Sequence, residues 1–194
     1  MSARSFERWA YSLVREGIIS REDAGLYSYG LEQGLLLLLN IGTALLIGLL
    51  LDEFVACVIF LACFLPLRAM AGGYHARTPL HCYLLGMVVV LAAMLASKWI
   101  PWTITGTWIT AIVACVIIWR LAPAEDKNKP LSKEEREKYS QQTKRILIAA
   151  LWSIMLTNMV GLDKISTGID IALWGNVLML CLWKMKSLVM HKNV

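Results

Sequence analysis

The sequence predicts an all-α polytopic membrane protein of about six transmembrane helices, preceded by an N-terminal amphipathic helical region. Three observations predict it. Of 194 residues, 58% are hydrophobic and only 17% charged, whereas a soluble domain carries about a quarter charged residues. The apolar residues fall into long runs with short charged punctuation, and a bilayer core about 30 Å thick needs about 20 of them per helix. The lysines and arginines crowd onto alternate connections between those runs, as the positive-inside rule requires.

The elements follow in order. Residues 1–16 read as an amphipathic helix, with Phe6, Trp9, Ala10, Leu13 and Val14 at helical spacing and Arg4, Glu7, Arg8 and Arg15 on the other face. Such a helix lies in the membrane interface. Its charged sequence lacks a small-residue cleavage site after an apolar core, so no signal peptide is expected. Gly17 can end it, and Ser20 with Asp23 opens a second short helix. The first span covers 31–51. The second covers 54–67, is short for a crossing, and is ended by Pro66 and Arg68. The third and fourth spans cover 79–97 and 103–122. The fifth covers 146–161 and the sixth 169–183. This makes 1–194 a single membrane-embedded domain. Residues 1–30 are interfacial helices, 31–194 a transmembrane bundle, and 68–78 and 123–145 cytoplasmic loops. Within the second loop, Ser132 and Glu135 match a capping box, so a short helix starts there.

With the N-terminus inside, 17 of the 19 lysines and arginines are cytoplasmic, and only Lys98 and Lys164 lie outside. The net charge of +5 is thus a topological signal, and no nucleic-acid partner is expected. Cys57, Cys63, Cys115 and Cys181 sit in apolar runs and read as packing residues. No cysteine spacing suggests a disulfide framework, and neither a metal nor another cofactor is expected.

Chemistry concentrates between Arg68 and Cys82. Polar residues at a membrane boundary are costly and tend to be functional. Thr78 suits an N-cap and Pro79 the first helical position, which puts Cys82 in the first turn of the third span. Free N–H groups and the helix dipole favour negative charge there. In one unbroken helix His75 would lie about 10.5 Å from Cys82 along the axis. A loop bent at Gly72 and Gly73 removes that obstacle and lets His75 act as base to a Cys82 nucleophile. His81 points about 100° round the helix from Cys82. The plainer reading is an interfacial histidine beside a packing cysteine, and a site of His75, His81 and Cys82 for a metal lacks a fourth ligand. Arg68 either holds a substrate carboxylate or carbonyl, or is a positive-inside anchor. Glu32 or Gln33 could orient His75, or could simply face water at the interface. The 123–145 loop offers a basic surface for an acidic peptide or anionic lipid.

Taken together, Arg68, Gly73, His75 and Cys82, the later Ala122-Pro-Ala and Lys129-Pro130-Leu131 stretches, and Tyr29-Gly30-Leu31-Glu32 resemble the accessory gene regulator B family of membrane cysteine endopeptidases. The resemblance covers nearly the whole chain. It implies a role in quorum sensing, with an AgrD-like propeptide as substrate: an amphipathic leader, a signal segment and an acidic tail. It implies Cys82 as nucleophile and His75 as general base, with Arg68, Gly73, Glu32, Lys129 and Pro130 supporting the site or binding substrate. Ala69 and Met70 stand where some relatives carry further basic residues.

In that chemistry the Cys82 thiolate displaces the tail, and an internal thiol or hydroxyl closes the ring on the resulting thioester. Cyclisation must outrun hydrolysis by positioning and by excluding water. The competing readings are a peptide transporter, with Asn40, Asn158, Asp170 and Asn176 as the candidate polar path, and a scaffold without chemistry. A short second span and a loop at membrane depth would be easier to shelter in a homodimer within the lipid bilayer, so a dimer is expected.

Overall fold

The computed structural model describes residues 3–74, 78–125 and 131–192, with side chains described from residue 7 to 188. Among these residues it holds seven helices and no strand. The chain forms two compact units, 1–43 and 44–194.

In the N-terminal unit, α1 runs Ala3–Arg15. Gly17 at φ 71° ends it, a left-handed conformation that costs glycine little. The Asp23 N–H then donates to Ser20 Oγ at 3.2 Å, and α2 runs Ala24–Leu50. The expected second short helix is therefore the start of the first span. Gly25, Gly30 and Gly34 do not break the helix, because tertiary and membrane context outweighs their weak propensity.

In the second unit, α3 runs Phe54–Ala71 and contains Pro66. The expectation that Pro66 and Arg68 end this helix is corrected. Its 18 residues span about 27 Å, a full crossing. Proline is tolerated in membrane helices where the surrounding structure re-satisfies the backbone. Here the last turn is closed by the Gly72 N–H on Arg68 O at 3.1 Å. Next come α4 at Pro79–Trp99 and α5 at Ile104–Leu121, capped by Thr78 and Thr103, whose side chains accept from His81 N and Gly106 N.

The capping box at Ser132 and Glu135 is present, but it opens one long helix, α6, at Lys133–Met159. The expected 123–145 loop thus shrinks to the stretch before Lys133, and the expected 68–78 loop begins only at Gly72. α7 covers Asp163–Lys192. Five of the described helices, α2, α3, α4, α5 and α7, are long and apolar enough to cross a membrane. The predicted fifth span is the second half of α6, from Ile146, which is too short on its own to count among them.

α7 is the central helix, with 67% of its apolar window buried against 33% or less in the other spans. It packs closest on α3. Gly168 and Gly175, one heptad apart, face Ile59 and Phe64, where an added Cβ would stand at 3.0 and 3.2 Å. The core around this seam includes Leu67, Ile118, Leu147, Ile154, Leu173 and Leu180. At one end of this unit Glu53 accepts from Ser97 Oγ at 2.9 Å and faces Lys164 at 3.9 Å, while Lys98 donates to Leu51 O at 2.9 Å. Arg68, Arg120, Arg136, Lys184 and Lys186 all belong to the opposite end. The charge asymmetry predicted across a bilayer is therefore an asymmetry between the two ends of this unit.

Candidate active site

Arg68, on the last turn of α3, organises the segment that follows it. Its Nη1 donates to Gly72 O at 2.6 Å and its Nη2 to Tyr74 O. The guanidinium fork suits this work, since it aims two rigid donors at two carbonyls. Neither sequence reading of Arg68, substrate clamp or surface anchor, anticipates a side chain folded onto its own backbone.

The two glycines follow from that fold. Gly72 has φ 73° and Gly73 φ 134°, in the region that favours glycine. A Cβ on Gly73 would overlap Arg68 Nη1, and one on Gly72 would overlap Ala124 O. Gly73 is buried. The path leaves no room for a side chain at either position.

Two further backbone bonds tether the segment. The Tyr74 N–H donates to Met179 O of α7 at 3.0 Å, and the Ala124 N–H donates to Ala71 O at 2.8 Å. The Ala122-Pro-Ala motif thus docks on the end of α3, with a cis Ala122–Pro123 peptide. Trp183 Nε1 donates to Glu125 O at 2.8 Å, and the Glu125 carboxylate pairs with Arg136 at 3.3 Å. Lys186 sits 4.9 Å over the Tyr74 ring. Sequence reasoning missed Tyr74, Glu125, Met179 and Trp183 as parts of this arrangement, and met Ala124 only within the Ala122-Pro-Ala motif. Only the Ala122-Pro-Ala motif carried a signal, because the other partners are remote along the chain.

Cys82 lies in the first turn of α4, and it is exposed. Its own N–H closes that turn on Thr78 O at 3.1 Å. The Thr78 hydroxyl accepts from His81 N at 3.3 Å and also meets His81 Nδ1, so the His81 ring is engaged by the cap. Cys82 at the start of α4 and Arg68 on the last turn of α3 share one end of the second unit. Arg68, Gly73 and Cys82 therefore gather at one end of the second unit. Glu32 is partly exposed on the N-terminal unit's stretch of α2. His75, Lys129 and Pro130 lie outside the described residues.

This arrangement can present a thiol at a helix N-terminus beside a tethered loop. The basic surface expected of 123–145 is partly engaged within the chain where it is described. Arg136 is committed to Glu125, and Lys144 stands 5.0 Å over the Trp119 ring.

Comparison with known proteins agrees with the sequence resemblance. The chain is 28% identical over 120 residues to an AgrB-like protein of Clostridium perfringens (strain SM101 / Type A). The match takes in 58% of this chain and 56% of that protein, so the chain spans about half the length of this relative. No solved structure matches. The profile described as accessory gene regulator B matches residues 6–187, nearly the whole chain, and the chain belongs to that family.

Proposed function

We propose that this chain is a membrane cysteine endopeptidase that removes the C-terminal tail of an AgrD-like propeptide and promotes cyclisation of what remains. Family membership links it to quorum-sensing peptide processing. The observation that carries the finer reading is Cys82, exposed in the first turn of an N-capped helix beside a loop that Arg68, Met179 and Ala124 hold in place.

In this reading His75 takes the Cys82 proton. The sulfur attacks the carbonyl carbon of the residue before the tail. The C–N bond breaks, the tail leaves as an amine with the proton returned by His75, and an acyl thioester stays on Cys82. A thiol or hydroxyl within the peptide then attacks the thioester carbonyl, closes a thiolactone or lactone, and releases the Cys82 thiol. Arg68 is a positioning residue here, because its guanidinium is spent on Gly72 and Tyr74. Gly73 permits that contact. Lys129 and Pro130 serve the substrate tail, and Glu32 is a supporting or substrate-binding residue carried over from the family resemblance.

Both termini and the site face the cytoplasm of a bacterial cell in this reading. The crowding of basic residues at the Arg68 end, against Lys98 and Lys164 at the other, supports that orientation. The sequence argument for a homodimer rested on a short second span and on a loop at membrane depth; α3 has 18 residues, and the homodimer stands on the second ground as part of this proposal.

The test is processing of a tagged propeptide co-expressed in a membrane host with wild type, His75→Ala or Cys82→Ala. Tail removal by wild type alone, with a cyclic product by mass, is expected. Tail removal by Cys82→Ala would end the peptidase reading.

A further inference from the structure

The N-terminal unit carries two cavities, and the peptidase reading uses neither. The first is a polar groove of about 630 Å³ lined by Arg8, Tyr11, Ser12, Val14, Arg15 and Arg21. Residues 8, 11, 12 and 15 recur at the i, i+3, i+4, i+7 spacing of one helix face. Arg21 joins them because the left-handed turn at Gly17 redirects the chain after α1. Among the described lining residues none is acidic, and Arg8, Arg15 and Arg21 border a space large enough for a phosphate ester. Guanidinium is the side chain best matched to phosphate oxygens, since its fork donates two parallel N–H bonds.

The second cavity is an apolar groove of about 970 Å³, lined by Trp9 of α1 and by α2 from Leu26 to Leu38. Trp9 lies about 100° round α1 from Arg8, so the two cavities adjoin along neighbouring faces. Tyr29, Gly30 and Gly34 form part of the floor, and nothing lies within 4 Å of where a Cβ on either glycine would stand. That face is open, and its α2 wall belongs to a helix apolar enough to cross a bilayer.

We propose that the N-terminal unit binds an anionic phospholipid. Its phosphate sits among Arg8, Arg15 and Arg21, and an acyl chain lies in the groove between Trp9 and α2. Charge complementarity selects the occupant. A zwitterionic lipid would bring a trimethylammonium to three arginines, and a soluble phosphate would leave the apolar groove empty. A phospholipid of net negative charge fills both. The inference does not depend on the chemistry at Cys82, and its test does not read catalysis.

The full chain is reconstituted in nanodiscs of phosphatidylcholine with phosphatidylglycerol, transferred to mild detergent, and examined by native mass spectrometry for retained lipid. Wild type is expected to retain phosphatidylglycerol in preference to phosphatidylcholine. A basic residue near an anionic surface contributes enough for about fivefold in affinity. Each single Arg→Gln change should therefore weaken retention about fivefold, and the triple change about 100-fold. Circular dichroism checks that the helices survive, and the triple Arg→Lys variant, which keeps the charge, should recover part of the loss. Gly34→Leu fills the apolar groove and should lower phosphatidylglycerol retention while leaving binding of free glycerol phosphate unchanged.

Equal retention of the two lipids, or undiminished retention by the triple Arg→Gln variant, would overturn the proposal. So would competition by glycerol phosphate at the same concentration as the lipid, which would make this a plain anion site. A change of oligomeric state in Gly34→Leu with lipid retention unchanged would assign the groove to a second copy of the chain, and the lipid reading would fall.

Discussion

Replacing Gly73 by alanine separates two roles for Arg68, one through the loop and one on the substrate. The new Cβ would occupy the place of Arg68 Nη1, so the guanidinium has to leave. Its bonds to Gly72 O and Tyr74 O are then lost. Hydrogen bonds from a charged donor contribute about 1.5–3 kcal/mol each. Two at the low end give about 3 kcal/mol, or about 150-fold in the population of the ordered loop. Alanine at φ 134° adds about 1–3 kcal/mol of backbone strain. The cost falls on the loop, because the α3–α7 seam around Gly168 and Gly175 is untouched. We expect Gly73→Ala to insert and unfold like wild type, and to lose tail removal by about 100-fold or more. Arg68→Lys keeps the charge but cannot reach both carbonyls as a rigid fork, and should lose about tenfold. The Gly73→Ala/Arg68→Lys double variant should be little worse than Gly73→Ala alone, since both act through one contact. Initial rates of tail removal, scored by gel shift at equal membrane expression, decide the matter. If the double variant's loss is the product of the single losses, Arg68 and Gly73 act separately. If Gly73→Ala is fully active, the loop need not be held by Arg68 at all.

Three other changes probe the frame around that loop. Thr78→Ala removes the side chain that accepts from His81 N, which costs a helix start about 0.5–2 kcal/mol; iodoacetamide labelling of Cys82 and tail removal should both slow several-fold, and Thr78→Ser should restore them. Gly72→Ala drives a Cβ into Ala124 O, so it should break the docking of Ala122-Pro-Ala on α3 and expose the Ala122–Glu125 segment to limited proteolysis at a site resistant in wild type. Asp170 is fully buried and has no cation partner among the described residues; it accepts from Thr110 Oγ1 at 2.6 Å. An unpaired buried charge is costly, so Asp170→Asn, which keeps an acceptor for Thr110, should leave thermal stability in detergent within about 1 kcal/mol of wild type, whereas Asp170→Leu should lower it.

What the sequence made legible is what local chemistry decides. Thr78 and Pro79 mark the start of α4 because a cap and a first-turn proline act within one turn. Ser132 with Glu135 marks α6 for the same reason. The far end of α3 was not legible. Pro66 and Arg68 look like a stop signal, and what overrides them is tertiary: α3 lies along the two glycines of α7, and Arg68 closes over its own C-terminus. The length of α6 was hidden because charged residues up to Arg145 resemble a loop in a hydropathy reading, although they are equally good helix formers. In the candidate site, Cys82 at a helix start and flexible backbone at Gly72 and Gly73 were readable. The purpose of those glycines was not, since it depends on Arg68 folding back and on Ala124 and Met179 arriving from distant parts of the chain.

The transport reading can be weighed on the same ground. A conduit needs polar side chains turned toward a shared lumen. In this chain many polar groups within the spans bond to their own helix instead. Asn40 donates to Leu36 O at 2.8 Å, Asn176 to Ala172 O at 2.9 Å, and Thr157 to Ser153 O at 2.7 Å. Each is the bond a polar side chain makes four residues back when no aqueous partner is offered. Asp170 does reach across, to Thr110, but that contact staples α5 to α7 and fills the interior. Asn158 lies one residue from the end of α6, and its amide atoms are buried with no hydrogen-bond partner among the described residues. These contacts trace no shared lumen, which weighs against the transport reading and leaves the proposed peptidase the better supported one.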